Sequence, residues 1–142
     1  MSNQEQYSDL SAAPSLTVAR EAVRVLMKKL ALSVKLIYVA PTTSLTDYYV
    51  VAYGRSSTHC RALADGLEDA MAASLLPVRH AEGRDGGDWI LLDLGEVIVH
   101  IFGREAGEFY RFERLFKEDA FLPTDDILSA LEGEAKEEES NT

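Results

Sequence analysis

The run DWILLDLGEVIVHIF, Asp88 to Phe102, constrains this fold more than any other stretch. Its apolar density and its central Leu94-Gly95-Glu96 dictate two strands around a tight turn. Split by the two-residue period of a strand, Trp89, Leu91 and Asp93 share one face, and Ile90, Leu92 and Leu94 share the other. The second triplet is core. The first sets an aromatic ring beside a carboxylate, a composition that suits a partly open sheet face contacting another macromolecule. The chain therefore reads as a binding module.

The flanking segments supply the rest of the sheet and its helices. From Ser15 to Leu32, Ala19, Ala22, Val23, Leu26 and Leu30 recur at helical spacing with Arg20, Arg24 and Lys28 on another side, and Ser15 or Thr17 is expected to cap the helix. VKLIYVA and DYYVVAY are β-branched and aromatic, and read as two strands, the second ending at Gly54. RSSTHCRALADGLEDAMAASLL carries Cys60, Leu63, Leu67, Ala70, Met71 and Leu75 on one helical stripe, with Ser56 or Ser57 as its cap. Pro77 and the GRDGGD cluster frame a short strand, VRHAE. A last helix from Glu105 to Phe116 places Phe109, Phe112, Leu115 and Phe116 as a seam against the sheet, from which Tyr110 reaches solvent. The order αββαβββα predicts an α+β fold: a mixed sheet of about five strands with helices chiefly on one face.

A chain of 142 residues is one domain, long enough to bury about two-thirds of its unfolded surface. Its net charge of -10 is concentrated at one end, since residues 1 to 117 hold 15 acidic and 13 basic side chains while 118 to 142 hold 9 and 1. Residues 123–142 are therefore expected to be a disordered acidic tail, residues 1–14 a disordered N-terminus, and residues 15–122 the folded domain. Scattered basic residues give no concentrated patch for phosphates, so direct nucleic-acid binding is not expected, whereas a basic protein partner remains open. The lone Cys60 forms no intramolecular disulfide. With no signal-like leader and no run of 18 apolar residues, a cytoplasmic protein without membrane association is expected.

Several constellations bear on chemistry. Gly54-Arg55-Ser56-Ser57 sits at a strand-to-helix junction, where backbone amides and the helix dipole favour an anion, but a glycine turn and a serine cap are needed there whatever the ligand. A nucleotidyltransferase holds triphosphate at such a junction and presents paired carboxylates on a following strand; VIVHIF has none, and Asp93 and Glu96 are out of phase. Ser57, His59 and Cys60 are neighbours within one helical turn and do not point at one another as a nucleophile and its base must. His59 reads as a neutral hydrogen-bonding residue, and Cys60 as a small apolar member of its stripe. His100 and Asp93 are expected to face each other across the hairpin as a polar pair, without a third ligand for a metal. No cofactor is expected.

Three blocks in order, TDYYVVAYGRSSTHCRALAD, GDWILLDLGEVIVHIF and EFYRFERLF, resemble successive blocks of the ribosomal silencing factor family, also called Iojap or RsfS, across about residues 18 to 116. Arg55, Thr58, Glu96 and Phe116 depart from the family's usual residues. The resemblance implies a nucleotidyltransferase-like fold without catalytic carboxylates. It also implies a protein that binds the large ribosomal subunit through its L-fourteen protein, sterically hinders joining of the small subunit and represses translation under nutrient limitation. The recognition face implied by the matching blocks comprises Trp89, Leu91, Asp93 and His100, with Ser57, His59 and Tyr110 nearby. Two rival readings remain: a nucleotide-binding enzyme using the Gly54 to Ser57 turn, and a homodimeric scaffold pairing through the open face or an edge strand.

Overall fold

The computed structural model describes residues 8–103 and 112–140. Helix α1, Ser15–Lys28, buries Val18, Ala19, Ala22, Val23 and Leu26 along one stripe. Pro14 is its N-cap, and the expected side-chain cap from Ser15 or Thr17 does not form. Ser15 Oγ instead donates to Asp47 Oδ2 at 2.9 Å, tying the helix to the loop before the second strand. Helix α2, Ser57–Ala73, is capped by Ser56, whose Oγ accepts from the His59 amide.

Both helices end in the same motif. Leu30 donates to the Met27 carbonyl and Ala31 to that of Leu26; Leu75 donates to Ala72 and Leu76 to Met71. This pairing of 5→2 and 6→1 bonds requires a left-handed residue just past each helix, and leucines occupy it, with φ of 68° at Leu30 and 63° at Leu75.

Six strands build one mixed sheet in the order β3-β4-β5-β2-β1-β6. They are β1 Ser33–Tyr38, β2 Tyr48–Gly54, β3 His80–Glu82, β4 Trp89–Asp93, β5 Val97–Gly103 and β6 Phe121–Leu122. β2 and β5 run parallel at the centre, from Tyr48 opposite Val97 to Gly54 opposite Gly103, and every other pairing is antiparallel. α1 and α2 cover one face over Leu36, Val50, Ala52, Ile90, Leu92, Val99 and Ile101. On the other face Ile37, Val39, Val51 and Phe102 are buried, with Phe112, Phe116, Ala120 and Phe121 packed against them.

The expectation of five strands is thus one short. β6 pairs only Phe121 and Leu122 with Ile37 and Leu36, and two residues ahead of Pro123 carry no readable alternation. The expected limits of order also shift at both ends. Leu10 is buried and its amide donates to Ser74 O at 2.8 Å, so the fold begins before residue 15. Residues expected to be an unstructured acidic tail form helix α3, Asp125–Ser140, which docks on α1. Ile127 is buried, Leu131 packs on the main core, and Asp126 and Glu134 pair with Arg20 and Arg24 of α1. One i, i+4 apolar pair and acidic residues at the helix's positive end suffice to order it, and the density of glutamates masks that pair in the sequence. Of the helix expected over Glu105 to Phe116, only the turn from Phe112 onward is described; Phe109 and Tyr110 lie outside the described residues.

Candidate recognition face

The hairpin closes on a two-residue loop, Gly95-Glu96, with Leu94 N–H bonded to Val97 O at 2.9 Å. Gly95 holds φ +97°, as the first position of a mirror-image turn requires, and the turn sets the register from Trp89 opposite Phe102 to Asp93 opposite Ile98. Trp89, Leu91 and Asp93 therefore share a face with Ile98, His100 and Phe102, and through β2 with Tyr49, Val51 and Tyr53. β3 extends that face with His80 opposite Asp93 and Glu82 opposite Leu91.

This face is half covered. The segment from Phe112 to Phe121 lies over β1, β2 and β5. Trp89 stands at the seam, 42% exposed. Its ring lies against Phe102, with centroids 4.9 Å apart, and meets Phe112 edge-on at 6.2 Å. Leu91 and Asp93 are half-buried beyond it on the uncovered side.

His100 falls on the covered side and is only 4% exposed. It is opposite Leu91, so the expected pair with Asp93 is diagonal and does not form. Asp93 Oδ1 accepts instead from Gly95 N–H at 2.7 Å, a carboxylate spent on the hairpin turn. His100 Nδ1 accepts the Trp89 indole N–H at 3.1 Å, while Nε2 is buried with no hydrogen-bond partner among the described residues. Phe112 and Tyr49 pack on the imidazole at 4.5 and 4.8 Å between ring centroids. Burial pushes its pKa down to about 4, so the ring is neutral at physiological pH and Nδ1 keeps its lone pair.

Ser57 and His59 stand at the rim. His59 Nδ1 accepts the Arg55 amide at 3.0 Å while its own amide goes to Ser56, so the ring completes a reciprocal cap. Ser57 adjoins Gly87, where an added Cβ would come within 2.8 Å of the serine Cβ. The loop from Gly83 to Asp88 is pinned to α2: Arg84 pairs with Asp65 at 2.7 Å and with Glu68, and Arg61 reaches Asp85 O at 3.4 Å. Gly83, at φ +83°, passes so close to the Trp89 carbonyl that a Cβ would lie 1.9 Å from its oxygen. This loop delivers Trp89 to the seam and draws Ser57 toward it.

Burial raises the Cys60 thiol above its usual range, which leaves it protonated and a poor nucleophile. Among the described residues no group of three or more His, Cys, Asp and Glu side chains is arranged to hold a metal ion, and no helix is long and apolar enough to cross a membrane. Tyr49, Phe102, Ile98, His80 and Glu82 belong to the face although the sequence does not single them out. Tyr49 and Phe102 are recoverable from strand alternation, but only once β2 is known to lie beside β5.

Fold and face define an α+β protein with a half-covered aromatic sheet face. The family described as "Ribosomal silencing factor during starvation" matches residues 12–142. A ribosomal silencing factor RsfS of Zymomonas mobilis is 41% identical over 86 residues, covering 61% of this chain and 65% of that protein. The mouse protein named "Mitochondrial assembly of ribosomal large subunit protein 1" is 29% identical over 120 residues, covering 82% of this chain and 51% of that one. The chain thus spans less than two-thirds of either relative's length. A crystal structure from Bacillus halodurans superposes with a TM-score of 0.69 at 23% identity, over 76% of this chain and 98% of that chain, and so shares the fold. The chain belongs to the ribosomal silencing factor family.

Proposed function

We propose that this chain binds the large ribosomal subunit through its L-fourteen protein and sterically blocks joining of the small subunit, lowering translation when nutrients are short. The observation that carries this reading is Trp89: a large aromatic, 42% exposed, on a face whose other half is closed. Leaving such a ring in water at a seam costs solvation free energy that a partner recovers, and aromatic anchors dominate interface energetics. Leu91 extends the apolar strip on β4, while Ser57 and His59 form the rim at the start of α2. Tyr110 is kept as a contact on the family resemblance alone.

The action is occupancy, with no bond made or broken. Asp93 is engaged by the Gly95 amide, and β5, VIVHIFG, carries no carboxylate with which a two-metal transferase could hold its ions. An interface able to compete with subunit joining buries roughly 1,200 to 2,000 Å², consistent with a sheet face rather than a cleft.

Co-sedimentation with ribosomes at low magnesium tests the reading. The wild-type chain is expected to pellet with large subunits only and to deplete intact ribosomes. Trp89→Ala is expected to weaken that association roughly thirtyfold, about 2 kcal/mol, in protein whose circular dichroism shows it still folded at the assay temperature. A chain that migrates with small subunits, or with none, contradicts it.

A further inference from the structure

A histidine is an expensive residue for the place His100 occupies. It is enclosed by the rings of Tyr49, Trp89, Phe102 and Phe112. Its Nδ1 accepts a hydrogen bond, so the proton of the neutral ring sits on Nε2, which is buried and, among the described residues, unpartnered. A buried N–H without an acceptor destabilises the fold, whereas leucine or phenylalanine would occupy an aromatic enclosure at no such cost. Packing therefore does not account for the residue type. What the histidine supplies is the lone pair on Nδ1, aimed at Trp89, the exposed aromatic among the described residues of the seam.

Resting on the ribosome-binding reading, we infer that His100 is a positioning residue. By accepting the indole N–H of Trp89, it fixes the orientation in which this anchor meets its partner and leaves only carbon edge and face for the partner to contact. The surface that receives Trp89 is then apolar at that point and needs no acceptor for the indole. An indole whose N–H is already satisfied also loses less on leaving water, since no donor is stripped of its hydrogen bond at the interface.

The lone pair survives mild acid because burial holds the imidazole pKa down to about 4. Tyr49 of β2 is the titratable ring in direct contact. Among the described residues, charged positions on the elements packed against it are Asp93 on β4, Lys35 across β2 on β1, and Glu113 and Arg114 beside Phe112.

Trp89 is the only tryptophan, so its emission reports this contact alone. His100→Leu, which removes the acceptor, is expected to shift the emission and to weaken large-subunit binding about tenfold, the scale of one lost positioning contact. His100→Gln, whose amide oxygen can accept, should recover most of that loss. In a Trp89→Phe background, which has no indole N–H to hold, His100→Leu should change binding by less than about twofold. Wild-type emission should change with a midpoint near pH 4 that is absent in His100→Gln. The inference is overturned if His100→Leu leaves emission and affinity unchanged, or costs as much in the Trp89→Phe background as in the wild-type chain. Should the wild-type chain fail to bind large subunits, the functional reading falls, while the emission of the variants still decides whether His100 holds the indole.

Discussion

A neutral histidine closed inside aromatic rings sets the sign of the protein's response to acid. In the unfolded chain His100 takes up its proton near pH 6.5, but in the fold only near pH 4. Between these values the unfolded state binds more protons, so stability falls as pH drops through that window and is unaffected above it. The difference amounts to about 3 kcal/mol once both forms are below the folded value. Urea denaturation across a pH series is expected to show wild type losing that much more than His100→Gln between pH 7 and pH 4. Parallel curves would show that His100 does not resist protonation. At this scale the sequence was a fair guide to Trp89, Leu91 and Asp93, which alternation alone put on one face. The expected His100–Asp93 pair fails on register, and the burial of His100 was not legible, because strand period tells which face a residue is on and not whether a distant segment covers it. Phe112 does the covering, and it lies beyond the hairpin in a segment whose own period says nothing of where it folds back.

Elements were legible where a long period carried them. α1, α2 and the β4–β5 hairpin follow from stripes and one glycine turn, and the helix-covered face follows from the apolar triplet Ile90, Leu92 and Leu94. β6 was invisible because two residues have no period, and α3 because glutamates outnumber the two apolar residues that dock it. The helix ends were also unreadable, since a left-handed position is signalled by glycine and here it holds Leu30 and Leu75. Both side chains are largely exposed, so replacing them forfeits little burial. Leu75→Gly is therefore expected to stabilise the chain by about 1 kcal/mol, or roughly 3 °C in melting temperature. A lower melting temperature would mean that Leu75 contributes a contact outweighing its backbone strain. α3 makes the opposite case, an element held by little. Ile127→Ala should cost about 2 kcal/mol locally, releasing α3 to hydrogen exchange while the sheet amides keep their protection. Equal loss of protection in β2 and β5 would show instead that α3 belongs to the main cooperative unit.

For the whole molecule, the sheet divides labour between its faces. One is sealed by α1 and α2 and carries most of the stability. Among the described residues, the other is covered by Phe112 to Phe121 over β1, β2 and β5 and exposes Trp89 on β4, where the proposed recognition strip begins. Gly83, Arg84 and the α2 carboxylates fix that strip's entrance. Of the 24 carboxylates, 9 lie beyond residue 117, two of them paired with α1. The proposed plug presents the patch that begins at Trp89, in a family described as ribosomal silencing factors. The most direct measurement of that claim is light scattering from purified subunits as they associate, with wild type and Trp89→Ala titrated in turn. The account predicts that wild type suppresses association and that the variant needs roughly thirtyfold more protein for the same effect. Equal suppression by a folded Trp89→Ala chain, or no suppression by wild type, would contradict it.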